Sequence, residues 1–196
     1  MQFINLNNTC MRKLLLGAAM LLFAQMSFGQ AVSDNAVIPV SVTLNSILRL
    51  TVVSGGNIQF VVNTIEQYEN GIPYTPRYGT IFTVASSRDF NVRMGAEDGT
   101  LIGSDTGGPM DLDNIGYTMS NIGTEDPGFP GTVAALTSGT PIIVASIAGS
   151  SAANRYEIQW ELGTLGVGMN AQTLLEQSLP ADNYVTNVFL YVEPQP

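Results

Sequence analysis

The chain has no histidine, and its single cysteine, Cys10, and single lysine, Lys13, both lie near the start. Beyond residue 13 it therefore lacks the side chains that most often act as a base near neutral pH, a soft metal ligand or an activated thiol or amine. Serines are plentiful, but without His or Lys none has an evident partner to take its proton. One cysteine cannot build a disulfide framework within the chain. Long apolar runs are also missing. The most apolar stretch, Leu14–Ala24, has eleven residues, whereas a membrane-spanning helix needs about 20. These absences point away from catalysis, and no catalytic or cofactor-binding residue is assigned.

That apolar stretch has another use. Arg12-Lys13 precedes it as a short positive segment, and Ser27-Phe28-Gly29 follows with small residues spaced for cleavage before Gln30. Residues 1–29 thus read as a cleaved export signal, with Met1 or Met11 as the start. A lipid anchor would need a cysteine directly after the apolar stretch, and Gln30 stands near that place instead. The expected product is a secreted or cell-surface chain of residues 30–196, one domain with no membrane span.

Cleavage would leave five arginines against sixteen acidic residues, a balance of −11. Such a surface repels phosphate backbones, so nucleic acid is not an expected partner. Charged residues are still few, with Ser, Thr, Asn and Gly supplying most of the polarity. That composition suits extracellular β-proteins and not disorder.

The pattern agrees. Ala36, Ile38, Val40, Val42 and Leu44, then Leu48, Leu50 and Val52, occupy even positions, with polar residues mostly between them. Alternation of period two predicts two strands broken at Asn45-Ser46. Pro39 has no N–H to give a ladder, so the first of these is expected at an edge or docked elsewhere. Further strands are predicted over Ile58–Val62, Tyr78–Ala85, Phe90–Met94, Ile115–Ser120, Pro141–Ile147, Arg155–Leu162 and Tyr184–Val192. Ser86–Asp89 reads as a hairpin link. Thr64–Gly71 reads as a helical turn or loop ending at Asn70-Gly71, and Ala171–Ser178 as one or two helical turns. Tyr184–Val192, apolar on both faces, is expected at the centre of a sheet. About eight to ten short strands with almost no helical period predict an all-β fold, a Greek-key immunoglobulin-like β-sandwich.

Several segments carry a resemblance. Ala36-Val37-Ile38-Pro39-Val40-Ser41-Val42 and the closing Leu179–Val188 resemble secreted bacterial β-sandwich proteins related to spore coat protein U and to fimbrial subunits. Tyr68–Ile72 and Phe82–Ser87 followed by Phe90-Asn91-Val92 are similar to surface β-domains of Bacteroidetes type. The resemblance implies an extended N-terminal strand and a structural or adhesive role at the cell surface, in a fimbria or pilus. The chain differs from disulfide-bearing fimbrial subunits in having no cysteine pair. Independently of family, Asp182-Asn183 can make a tight turn and the Tyr184 hydroxyl can bond a nearby backbone group, as in a tyrosine corner.

Three constellations invite chemistry. Asp111-Leu112-Asp113-Asn114 and Asp105 offer oxygen ligands of the kind calcium takes, but Ile115 and Ile122 stand where an EF-hand loop has ligands. The plainer reading is a solvated acidic loop, with calcium as the alternative. Glu157 and Glu161 alternate on one strand, too far apart for a paired-carboxylate glycosidase unless their side chains converge. Gly163–Gly168 matches a phosphate loop in composition alone. The expectation is accordingly a non-enzymatic surface subunit. It would self-associate, or join other surface subunits, through Ile38, Val40, Val42 and Leu44. The alternative is a monomeric carbohydrate- or calcium-binding module.

Overall fold

Antiparallel strands make up most of the ordered backbone in the computed structural model, which describes residues 38–196. The export signal, and Ala36-Val37 at the head of the first predicted strand, lie outside the described residues. β1 (Leu48–Ser54), β2 (Gly79–Ser86), β9 (Arg155–Leu162), β6 (Ile115–Asn121) and β7 (Ala134–Ala135) form a five-stranded sheet in that order. A second sheet has the order β11 (Val188–Pro194), β3 (Phe90–Ala96), β8 (Ile142–Ser146). A third, small sheet has the order β10 (Tyr184–Val185), β4 (Thr100–Gly103), β5 (Pro109–Asp111). Every pair is antiparallel. No helix among the described residues is long and apolar enough to cross a membrane.

Period-two burial builds the core. On β9, Tyr156, Ile158, Trp160 and Leu162 are buried while Arg155, Glu157, Gln159 and Glu161 are not. Phe82 and Val84 of β2 and Phe90, Val92 and Met94 of β3 are at most 1% exposed. With Leu101 of β4 and Met110 of β5, they join one hydrophobic cluster drawn from all three sheets. Residues Leu44–Pro196 form a single compact unit.

The helix α1 (Ile65–Asn70) is short and well capped. The Thr64 hydroxyl accepts from the Gln67 amide at 3.2 Å, and the Gln67 side chain reaches back to the Thr64 amide. This reciprocal capping satisfies donors the first turn leaves open. Gly71 ends the helix at φ 72°, where a Cβ would sit 2.3 Å from the Leu162 carbonyl oxygen.

Five expectations are corrected. Ser86–Asp89 does not link a hairpin: β2 pairs with β1 and β9, β3 with β11 and β8, so the link carries the chain between sheets. Both strands turn bulky apolar residues inward, so they face across the core instead of lying side by side. Ile58–Val62 joins no ladder, although it alternates; Ile58, Phe60 and Val62 pack on the core, and Phe60 stacks on Tyr78 at 4.4 Å. Gly95–Gly131, where a strand is predicted only at Ile115–Ser120, holds β4 and β5 besides β6. The predicted last strand divides into β10 and β11, and β11 is an edge strand, not a central one. Its outward apolar residues, Phe189 and Tyr191, stand in solvent at 40% and 49% exposure. Finally, residues 38–47 are in no strand. A strand needs a ladder partner, and Pro39 cannot donate to one.

Candidate functional site

The N-terminal segment carries its apolar stripe into solvent. Ile38, Val40, Val42 and Leu44 are 82%, 84%, 78% and 90% exposed. Every second residue of this seven-residue stretch is thus a large, exposed apolar side chain.

A second feature lies in the fold itself. β1 and β11 are edge strands of their sheets and pass close to each other. Among the described residues no ladder joins them; β1 pairs with β2 alone and β11 with β3 alone. Their inward side chains are covered less well than their partners. Val92 and Met94 are buried, whereas Val192 and Leu190 opposite them are only half-buried. Phe82 is fully buried, whereas Val52 opposite it is 44% exposed. The core thins along a seam bounded by two free strand edges. Unpaired backbone groups beside half-covered apolar side chains are what an added strand satisfies. Each bounding strand is seven residues long, the length of the Ile38–Leu44 segment.

The carboxylates singled out from the sequence are held separately. Glu157 accepts from the Tyr74 hydroxyl at 2.9 Å and the Gln159 amide at 3.1 Å, whereas Glu161 accepts from the Thr164 hydroxyl at 2.6 Å. Partial burial first, and the Glu157 contact second, push the Tyr74 pKa up. Asp113 accepts from the Asn170 amide at 3.2 Å, and Asp111 offers its backbone carbonyl to Asn114 at 3.1 Å. Among the described residues no three His, Cys, Asp or Glu side chains gather closely enough to hold a metal ion. Gly163–Gly168 leads into a turn, with no helix after it.

The closing turn is built as its sequence indicates. The Tyr184 hydroxyl donates to the Pro180 carbonyl at 2.8 Å. Asp182 does more than turn the chain. Its carboxylate accepts from the Thr106 hydroxyl at 2.5 Å and from the amides of Asp105 at 3.0 Å, Thr106 at 2.8 Å and Asn183 at 2.7 Å. The β4–β5 loop is thereby tied to the turn before β10, a link of 76 residues in sequence that no local pattern reveals. Those donors, the Thr106 hydroxyl foremost, hold the carboxyl well below the usual carboxylate range. A depressed folded pKa means the tie is fully present above the ordinary value of about 3.9 and weakens as pH falls below it. Asp182→Ala is therefore expected to speed amide exchange at Asp105 and Thr106 about tenfold at pH 6, leaving β2 and β9 unchanged. Hydrogen-exchange NMR checks it, and equal rates in both proteins would show the tie to be idle.

No protein-family model matches the chain, and no curated protein matches it.

Proposed function

We propose that the chain is an exported, non-enzymatic structural or adhesive surface subunit that assembles with copies of itself. In this reading the Ile38–Leu44 stripe of one copy covers the β1–β11 seam of the next, as in a fimbria- or coat-like polymer. One observation carries it: a solvent-exposed apolar stripe of strand period coexists with a core left thin along two free strand edges. Each is costly alone, and each is of the length and chemistry to cover the other. The lack of His and Lys beyond residue 13 supports a role without catalysis. A Greek-key, immunoglobulin-like sandwich suits the crossing between sheets after β2.

The test is the state of residues 30–196 in solution. Sedimentation velocity across a hundredfold concentration range, with electron microscopy of the same material, is expected to show concentration-dependent oligomers or filaments. A monomer throughout would end this reading. Export makes a separate prediction: the protein recovered from outside the cell begins at Gln30 and carries no acyl group. Intact-mass and N-terminal peptide analysis reads this directly.

A further inference from the structure

The two exposed aromatic side chains among the described residues stand together. Every other aromatic there is buried or half-buried, Trp160 included, yet Phe189 and Tyr191 are 40% and 49% exposed. They are two apart on β11, so both face outward from the second sheet, with ring centroids 6.1 Å apart. Neither is a loose surface residue, since each ring keeps about half its area covered and contacts the other.

What borders them is polar and fixed. The strand register sets Tyr191 opposite Arg93 and Phe189 opposite Gly95. The Arg93 guanidinium donates to Glu193 at 2.6 Å and to the Thr140 carbonyl at 3.0 Å. Two of its five N–H donors are used in those bonds, and three remain for a ligand. At Gly95 the backbone of the β7–β8 loop comes so near that a Cβ would lie 2.4 Å from the Gly139 carbonyl oxygen. The rings therefore form a floor, with the Arg93–Glu193 pair beside one and loop backbone beyond the other.

We infer that this outer face of β11 is a binding platform for a neutral glycan chain. A pyranose is apolar across its C–H face and hydroxyl-bearing at its rim. The negative face of an aromatic ring attracts such C–H groups, while fixed donors and acceptors at the edge take the hydroxyls. The strongly acidic balance of the chain repels polyanionic glycans. The two rings are inclined by 46°, which suits a twisted, soluble chain and not the flat face of a crystalline polysaccharide. The platform is independent of the proposed self-association, because strand addition at β11 uses its free edge and inward side chains. It gives the adhesive role a ligand class.

The test uses residues 30–196 carrying Val42→Asp, to suppress assembly. It is titrated with neutral hexasaccharides of β-1,3-, β-1,4- and α-linked glucose, mannose and xylose, and with heparin, by calorimetry and amide shift mapping. Saturable binding to at least one neutral hexasaccharide is expected, with shifts centred on β11 and β3 and no response to heparin. Phe189→Ala and Tyr191→Ala should each weaken it at least tenfold, while Tyr191→Phe, which keeps the ring, should stay within threefold. Unchanged thermal midpoints in these variants exclude loss of the fold. Silence across the neutral panel, binding to heparin alone, or affinity indifferent to both alanine changes overturns the inference. Those results leave the assembly reading standing, because the wild-type oligomeric state is read separately.

Discussion

Deleting residues 31–45 is expected to leave a folded monomer at concentrations where the full 30–196 chain assembles. The fold should survive because residues 38–47 contribute no strand and Ile38–Leu44 is exposed throughout. Assembly should fail because the deletion removes the whole stripe. Burying four such side chains contributes about 1.5–3 kcal/mol each, against an association cost of about 4–15 kcal/mol. The apolar term alone thus leaves little surplus, and backbone pairing along the free edge of β1 or of β11 must supply the rest. Balance of this kind makes the interface sensitive to single changes. Val42→Asp places an unpaired charge in a desolvated slot, a cost of several kcal/mol; at about 1.4 kcal/mol per tenfold, association should weaken at least a hundredfold. Val42→Ile should assemble as the parent does. Leu190→Arg, on the opposite side of the proposed contact, should fail as Val42→Asp does. Sedimentation velocity on the four proteins decides: a truncated chain that assembles like the full one removes the stripe from the mechanism. A failing stripe variant beside an unaffected Leu190→Arg protein would move the acceptor away from the seam.

Sequence made the strands readable wherever burial is one-sided. On β9 the alternation of Tyr156, Ile158, Trp160 and Leu162 with charged and amide residues is a direct image of core and solvent. What it left open is partnership. Phe82-Thr83-Val84 and Phe90-Asn91-Val92 look like the arms of a hairpin, because pattern reports which face is apolar and says nothing of which strand lies alongside. Ile58, Phe60 and Val62 have the strand pattern and the burial, but no neighbour offers them a ladder. The error at β11 has the same origin: apolar residues on both faces mean two covered faces in a central strand, and here one face carries exposed Phe189 and Tyr191. Of the candidate site, the stripe was legible as a period. The seam was not, since it depends on Leu190 and Val192 being half-covered while their β3 partners are sealed. The Asp182 tie was equally hidden, because its partners, 76 and 77 residues away, are set by tertiary contact and not by spacing.

Asn154→Ala is expected to destabilise the fold as much as truncating a large core side chain would. Asn154 is fully buried, as is Tyr156 two residues on. The Asn154 side-chain oxygen accepts from the Ser146 hydroxyl at 3.1 Å and the Tyr156 hydroxyl at 2.9 Å, and its amide donates to the Ile147 carbonyl at 3.2 Å. One side chain thus satisfies two buried hydroxyls and a backbone carbonyl, joining β8 of one sheet to β9 of another. Alanine removes three hydrogen bonds and strands two donors, each stranded group costing about 1–3 kcal/mol. A loss of about 3–5 kcal/mol follows, large against a total stability of about 5–15 kcal/mol. Tyr156→Phe removes a donor together with its need for a partner, so it should cost about 1 kcal/mol. The network also sets an alkaline limit. Burial, ahead of the Ser146 contact that opposes it and the charge of Glu125 that adds to it, pushes the Tyr156 pKa up. A raised folded pKa means its contribution is intact below the ordinary phenol value of about 10 and is lost as pH climbs beyond it. Urea denaturation at pH 7 and at pH 11 measures both effects. If Asn154→Ala costs no more than Tyr156→Phe, the three bonds do not act as one network; if Tyr156→Phe loses as much stability as the wild type between pH 7 and pH 11, the Tyr156 phenol is not the alkaline limit, and Tyr117, whose pKa burial also raises, takes that place.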